Sequence, residues 1–275
     1  MKTPSPSPNF PTAWRTLRSA PASGAHNMAV DATLLDQGRD RRYGVWRTYA
    51  WERPTVSFGR HEAVQTRFDG PSLAAAGLDA VRRPTGGRAL LHADEVTYSV
   101  TIPIADRTPW QAVYAEINDI LLSALRALGV AAALVDNTTA SPMRPDGPVC
   151  FDHPAAGEIV VGGAKLVGSA VWRERGAYLQ HGSILLRNDQ ARLGEAMRVP
   201  ATASGVPAGA ATALDACLPV QPTWTLVADA LELALRTTVE HRHAGELSAQ
   251  PVSLDAELLA RHEMRFRDPA WLWRR

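Results

Sequence analysis

The chain has 275 residues, with 29 Lys plus Arg against 28 Asp plus Glu, a formal net charge of +1 and two cysteines. That length can bury a sizeable core, the charge balance gives no reason to expect nucleic acid as a partner, and two cysteines cannot build a disulfide framework. No apolar run approaches the ~20 residues that span a bilayer, so no membrane partner is expected, and the sparse cysteines suit a reducing, cytoplasmic setting.

Residues 1–22 are rich in Pro and Ser, lack the apolar stretch of a signal peptide and are expected to be a flexible lead. The rest, 23–275, is expected to be a single catalytic domain closed by C-terminal helices. Asn27 to Leu35 predicts a helix capped by Asn27, with Met28, Leu34 and Leu35 on one face. Tyr43 to Tyr49 and Thr55 to Phe58 predict two strands joined by a turn at Pro54. A short helix, Pro71 to Ala76, is stopped by Gly77. Leu78 to Arg83, Arg88 to Leu91 and Val96 to Ile102 then predict strands of one sheet.

Pro109 to Leu128 carries the clearest helical signal. Trp110, Val113, Tyr114, Ile117, Leu121, Leu125 and Leu128 recur on one face, Thr108 is placed to cap it and Gly129 to end it. Asn137 to Pro148, rich in Pro, Asn and Thr, reads as a mobile loop leading to Cys150. Glu158 to Val161, Gly162-Gly163 and Lys165 to Val171 form a hairpin pattern, and Gly176 to Leu186 adds a strand. Val199 to Pro219 reads as irregular, Thr223 to His241 as a helix, and Leu254 to Phe266 as a helix capped by Ser253. Runs of strands with helices between and after them give an α+β class, with helices packed on mixed or antiparallel sheets.

Lysine use is unusual: only Lys2 and Lys165 occur, the remaining basic residues being arginine. Arginine keeps its proton, whereas a lysine can give one up, so Lys165 is a candidate proton-transfer residue, a surface lysine being the alternative. The turn Arg82-Arg83-Pro84-Thr85-Gly86-Gly87-Arg88, continuing to His92, lets backbone approach a ligand closely and surrounds it with donors; a plain β-turn with surface arginines is the alternative. Cys150 follows a Pro-rich segment, as a nucleophile at the edge of a site would, and a buried inert thiol is equally compatible. Cys217 reads as structural. His181, in Gln180-His181-Gly182-Ser183, is either a donor or a packed histidine. No metal-ligand spacing, phosphate loop or dinucleotide fingerprint is present, so no metal is expected.

Taken together, these segments resemble the lipoate–protein ligase and octanoyltransferase superfamily, which shares its fold with biotin–protein ligase. The resemblance runs over roughly residues 27 to 275. It rests on Asn27-Met28-Ala29-Val30-Asp31, Pro54 to Gly59, Arg82 through His92 with Glu95 to Val100, Gly163 to Ala170, and Leu179 to Leu186. It implies a biotin/lipoate protein ligase-like catalytic domain. The turn reads Thr85-Gly86-Gly87-Arg88 where ATP-using ligases usually have Ser-Gly-Gly-Gly, and Cys150 stands where the cysteine-dependent octanoyltransferases of the LipM type place theirs. Ala170-Val171-Trp172-Arg173 departs from the common Ala-Gln-x-Arg.

The resemblance therefore implies transfer of an octanoyl group from acyl carrier protein to a lysine of a lipoyl domain, such as the glycine cleavage H protein or a dehydrogenase E2 subunit. Cys150 and Lys165 would be catalytic. Arg83, Thr85, Gly86, Gly87, Arg88, His92, Gly168, Ser169, Ala170, His181 and Gly182 would bind substrate. No cofactor is required on this reading, and a monomer is expected. An ATP-dependent lipoate ligase and a non-catalytic binder of lipoyl domains or lipoate are the alternatives.

Overall fold

The computed structural model describes residues 10–105, 109–135, 157–174, 176–198 and 211–274. Its centre is an eight-stranded sheet in the order β11-β1-β2-β6-β10-β9-β8-β7, beside a three-stranded sheet, β4-β3-β5. The large sheet comprises β1 (Ala13–Arg18), β2 (Gly44–Tyr49), β6 (Glu95–Pro103), β7 (Ala133–Leu134), β8 (Ile159–Val161), β9 (Ala164–Glu174), β10 (Ala177–Leu185) and β11 (Glu246–Ser248). The small one comprises β3 (Thr55–Phe58), β4 (Asp79–Arg82) and β5 (Leu90–His92). β1 runs parallel to β2 and β11, while β2, β6, β10, β9, β8 and β7 pair antiparallel in turn. The α+β class holds.

The strand β6 sets the layering. Val96, Tyr98, Val100 and Ile102 point into the main core, against Val113, Ile117, Leu121 and Leu125 of α3 (Trp110–Ala127) and Val227, Leu231 and Leu235 of α5 (Trp224–His243). The alternate residues Glu95, Thr97, Ser99 and Thr101 are equally buried. They face the other side, where α1 (Gly24–Gly38) packs between the sheet and α6 (Ala256–Arg267). Period-2 alternation normally separates core from water. Here it separates an apolar core from a buried polar layer.

Several expectations are corrected. Part of the N-terminal lead is structural: Ala13–Arg18 is a strand inside the sheet, and Trp14 is 0% exposed with its Nε1 donating to Pro11 O at 2.7 Å. The turn at Glu52-Arg53-Pro54 separates two strands as expected, and it carries the chain from β2 in the large sheet to β3 in the small one. β4 and β5 flank β3, apart from β6, so the expected single sheet is two. α1 begins earlier, capped by Ser23, whose side chain accepts from His26 N; Asn27 is a buried tie to Ala22 O and Ala50 O. α6 is capped by Asp255, not Ser253. Trp110, expected on the buried face of α3, is 37% exposed, and Pro109 stands at the cap position without a side-chain bond. The tail is not helices alone, because β11 follows α5 and pairs with β1.

Other expectations hold. Gly162 and Gly163 take φ of +58° and +85°, the left-handed geometry of a two-residue hairpin turn. Thr223 caps α5. α2 (Gly70–Ala75) and α7 (Pro269–Leu272) complete the helices that bear on the argument. Thr108, the segment Asn137 to Pro148, Cys150 and residues 199–210 lie outside the described residues.

Candidate active site

Between the two sheets lies a partly open pocket lined by residues of both. Met28 of α1, Tyr49, Trp51 and Leu90 give it apolar walls; Gly168, Ser169 and Ala170 of β9 and His181, Gly182 and Ser183 of β10 give it a floor. Strand register aligns that floor. Ala170 pairs with His181 and His181 with Ser99, while Gly168 pairs with Ser183 and Ser183 with Thr97. Small residues on β9 therefore leave the space that larger ones would fill.

A first polar chain starts at Asp31, three residues after Met28 on α1. Its Oδ1 accepts from Arg47 Nη1 at 2.7 Å and from Ser99 Oγ at 2.7 Å; its Oδ2 accepts from Tyr49 OH at 3.1 Å and lies 3.1 Å from His181 Nδ1. Burial pushes the Asp31 carboxyl up, but the charge of Arg47 and the bonds from His181 and Ser99 outweigh it and hold the group below its usual range. Burial pushes His181 down, against the opposing pull of Asp31. A neutral His181 beside a carboxylate must carry its proton on Nδ1 and donate there. Its Nε2 then accepts from Thr85 Oγ1, 2.7 Å away. Hydroxyl, imidazole and carboxylate are connected as in a nucleophile triad. Thr85, however, is fully buried and does not line the pocket, so this chain orients His181 rather than attacking a substrate.

A second cluster surrounds Glu95. Its Oε1 accepts from Trp51 Nε1 at 3.2 Å, from Ser183 Oγ at 2.8 Å and from Thr97 Oγ1, and lies 2.8 Å from His92 Nδ1. Its Oε2 is buried without a hydrogen-bond partner among the described residues. His92 Nε2 meets Ser57 Oγ at 2.7 Å, and the His92 ring stacks on Trp51 with centroids 4.0 Å apart.

The glycine-rich turn is clamped from beneath. Arg83 donates to Ser57 O, Gly86 O and Arg88 O, and Glu62 accepts from Gly59 N and Ala89 N. Gly59 is required by contact: a Cβ there would sit 1.8 Å from Gly87 O. Arg83, expected to offer donors to a ligand, instead spends them on the turn itself, although it lines the pocket. Thr85, Gly86, Gly87 and Arg88 do not line it; Thr85 reaches it through His181. Arg88 Nη2 is buried without a partner among the described residues.

His92, Gly168, Ser169, Ala170, His181 and Gly182 all line the pocket. Lys165 is no surface lysine: it is 2% exposed and donates to Glu158 Oε1 at 2.7 Å. It is not among the pocket's lining residues but stands three positions before Gly168 on β9. Cys150 lies outside the described residues. Cys217 is partly buried, its Sγ 3.8 Å from Thr212 Oγ1.

Sequence reasoning missed Asp31, Arg47, Trp51, Glu95, Thr97, Ser99, Ser183 and Glu158. Asp31 left a usable signal, a carboxylate on the face of α1 that carries Met28. The polar residues of β6 left a misleading one, since they read as a solvent face.

The architecture is shared with known proteins. A lipoate-protein ligase A bound with ATP superposes with a TM-score of 0.75 at 19% identity, covering 95% of this chain and 98% of that one. A bi-partite lipoate protein ligase from Thermoplasma acidophilum, solved in a study of that archaeal lipoylation system and its E2 lipoyl domain, gives 0.73 at 18%, covering 96% of each. At such identities the likeness concerns the fold. Sequence relatives are nearer: octanoyltransferase LipM of Kyrpidia tusciae is 41% identical over 194 residues, 68% of this chain and 71% of the relative. That of Bacillus subtilis is 38% identical over 189 residues, 66% of this chain and 68% of the relative. The model of the lipoyl protein ligase A/B catalytic domain matches residues 23–236, and the chain belongs to that family.

Proposed function

We propose that the protein is an octanoyltransferase of lipoate biosynthesis, taking its acyl group from acyl carrier protein and delivering it to a lysine of a lipoyl domain. The observation that carries this reading is the 41% identity to an octanoyltransferase over 194 residues. The mostly apolar lining of the pocket, with Gly168 to Ala170 as its floor, would favour an acyl chain over a polar ligand. Burying each CH₂ contributes about 0.8 kcal/mol, so chain length is discriminated there.

In this mechanism Cys150 acts as a thiolate paired with the Lys165 ammonium. Its sulfur attacks the thioester carbonyl, the new S–C bond forms the acyl-enzyme, and the departing carrier thiolate takes a proton from Lys165. The lysine amine of the lipoyl domain then attacks the acyl-enzyme, the amide N–C bond forms, the Cys150 S–C bond breaks, and the amine's proton returns to Lys165. Burial of Lys165 and its bond to Glu158 support such a role. The oriented His181 and the Gly168-Ser169 strand border the space where the thioester carbonyl would lie, and would polarise it. Neither ATP nor a metal enters. The protein would work in the cytoplasm; among the described residues no helix is long and apolar enough to cross a membrane.

The test is the intact mass after incubation with octanoyl-carrier protein and no ATP. A gain of one octanoyl group, absent in Cys150→Ala and discharged by a lipoyl domain, is expected. Lys165→Arg should fail at turnover because arginine keeps its proton. Lipoyl-domain modification only with ATP and free acid would refute transfer and make the protein a ligase.

A further inference from the structure

Beside the pocket stands a group of guanidinia that the transfer chemistry does not use. Arg60 follows Gly59, and its backbone N–H donates to Thr85 O at 2.8 Å. Its guanidinium lies 3.9 Å over the ring of Trp172, two residues beyond the pocket-lining Ala170 on β9. The stack thus bridges the glycine-rich turn and the β9 wall. Arg265 of α6 and Arg274 both lie over the ring of Trp271, at 3.8 and 3.9 Å. Arg274 also donates to the Arg60 carbonyl.

Positive charge is crowded here. Burial, then Arg60 and Arg274, press Arg265 below the ordinary arginine value; burial, then Arg60, do the same to Arg274. Among the described residues, no carboxylate lies within ion-pairing distance of these three side chains, and those of Arg60 and Arg265 donate no hydrogen bond. Glu174 and Asp36 act on Arg265 only from longer range. Stacking on indoles fixes guanidinium planes while leaving their N–H edges free for oxyanions. Crowded, unpaired guanidinia repel one another until an anion arrives.

We infer that this rim is the docking surface for an acidic face of the protein substrates. The inference rests on the proposed transfer, in which two protein substrates reach one pocket in turn. A single acidic-protein site then serves both half-reactions. Carboxylates of the carrier, and later of the lipoyl domain, would lie against Arg60, Arg265 and Arg274 while the acyl or lysine arm enters beside Trp172.

Arg60→Gln, Arg265→Gln and the double variant test this, after thermal melts establish folding. Each is assayed with octanoyl-carrier protein, octanoyl-coenzyme A and the neutral octanoyl thioester of N-acetylcysteamine, at low and moderate salt. Loss of rim charge should lower kcat/KM for the carrier about tenfold in the double variant and flatten its salt dependence. The neutral thioester should react as with the wild type. Wild-type kcat/KM with the carrier would overturn the inference. So would an equal fall with octanoyl-coenzyme A, which would make this a phosphate site. Binding of an unmodified lipoyl domain, measured by titration, separates the two readings. If no thioester acylates even the wild type, the transfer reading fails, but weakened lipoyl-domain binding in the double variant still supports the surface; unchanged binding refutes it.

Discussion

Asp31→Asn isolates the polar layer beneath α1. The substitution keeps the shape of the side chain and removes the charge that Arg47, Ser99, Tyr49 and His181 share. Arg47 would remain buried with neutral acceptors only, Asn27 O, Asn27 Oδ1 and Ser19 Oγ. Breaking a buried pair on one side costs about 3–5 kcal/mol, and the surviving acceptors place this case near 3. At about 2–4 °C per kcal/mol for a chain of this size, the melting temperature should fall by roughly 6–12 °C. The pH dependence follows from the same group. The Asp31 pKa is depressed in the folded state, so its contribution is present above the unfolded value of 3.8 and is lost as pH falls through the folded value. His181 is also depressed, by burial, so stability declines further as pH falls below 6.5 towards its folded value. Calorimetry between about pH 3 and pH 8 should show the wild type losing stability in both windows and Asp31→Asn lacking the lower one. A variant that melts within 2 °C (about 0.5–1 kcal/mol) of the wild type at neutral pH would refute the argument.

Three further outcomes are expected. Thr85→Val leaves the buried His181 Nε2 without its donor, which should cost about 1–3 kcal/mol of stability in urea titrations and reduce the transfer rate. Leu90→Phe narrows the pocket and should shift preference towards shorter acyl chains, by about fourfold in kcat/KM per methylene, in competition between octanoyl and hexanoyl donors. Trp14→Ala empties a fully buried site next to Phe10 and should cost about 3–5 kcal/mol, read from the urea midpoint; a surface-like loss below about 0.5 kcal/mol would mean that β1 is dispensable.

Local chemistry made the elements legible where one neighbour decides the outcome. Gly162-Gly163 dictates a hairpin, Thr223 a helix start, and the spacing from Val113 to Leu125 a buried helical face, each visible within a few residues. Pairing between distant strands was not legible. Nothing within Ala13–Arg18 announces that β11, more than 200 residues later, will lie beside it, and a Pro-rich flank hid the strand. The partition of β4 and β5 from β6 was equally hidden, because composition reports strand character and not sheet membership. Around the pocket, His92, His181 and the Gly168 strand stood out in the sequence because their residue types are uncommon in plain strands, whereas Thr85 to Arg88, expected to bind substrate, do not line it. Arg83 was misjudged, since only the folded turn shows its guanidinium ringed by carbonyls.

The hidden polar layer explains why the pocket has a fixed shape. An apolar interface between α1 and the sheet would hold the two together with less risk, since an unpaired buried charge costs several kcal/mol. This chain instead seats Asp31, Arg47, Ser99, His181 and Thr85 in one bonded chain and His92, Ser57, Glu95, Thr97, Trp51 and Ser183 in another. Each chain ties the small sheet to the large one through a histidine: Thr85 to His181 in the first, Ser57 to His92 to Glu95 in the second. Directional bonds of this kind admit one mutual placement of the sheets, whereas apolar packing admits small slides. Because the pocket lies between those sheets, their placement is its width. The stability given up to bury charge thus fixes the width of the pocket, and a change at Asp31 should be felt there even though Asp31 does not line it.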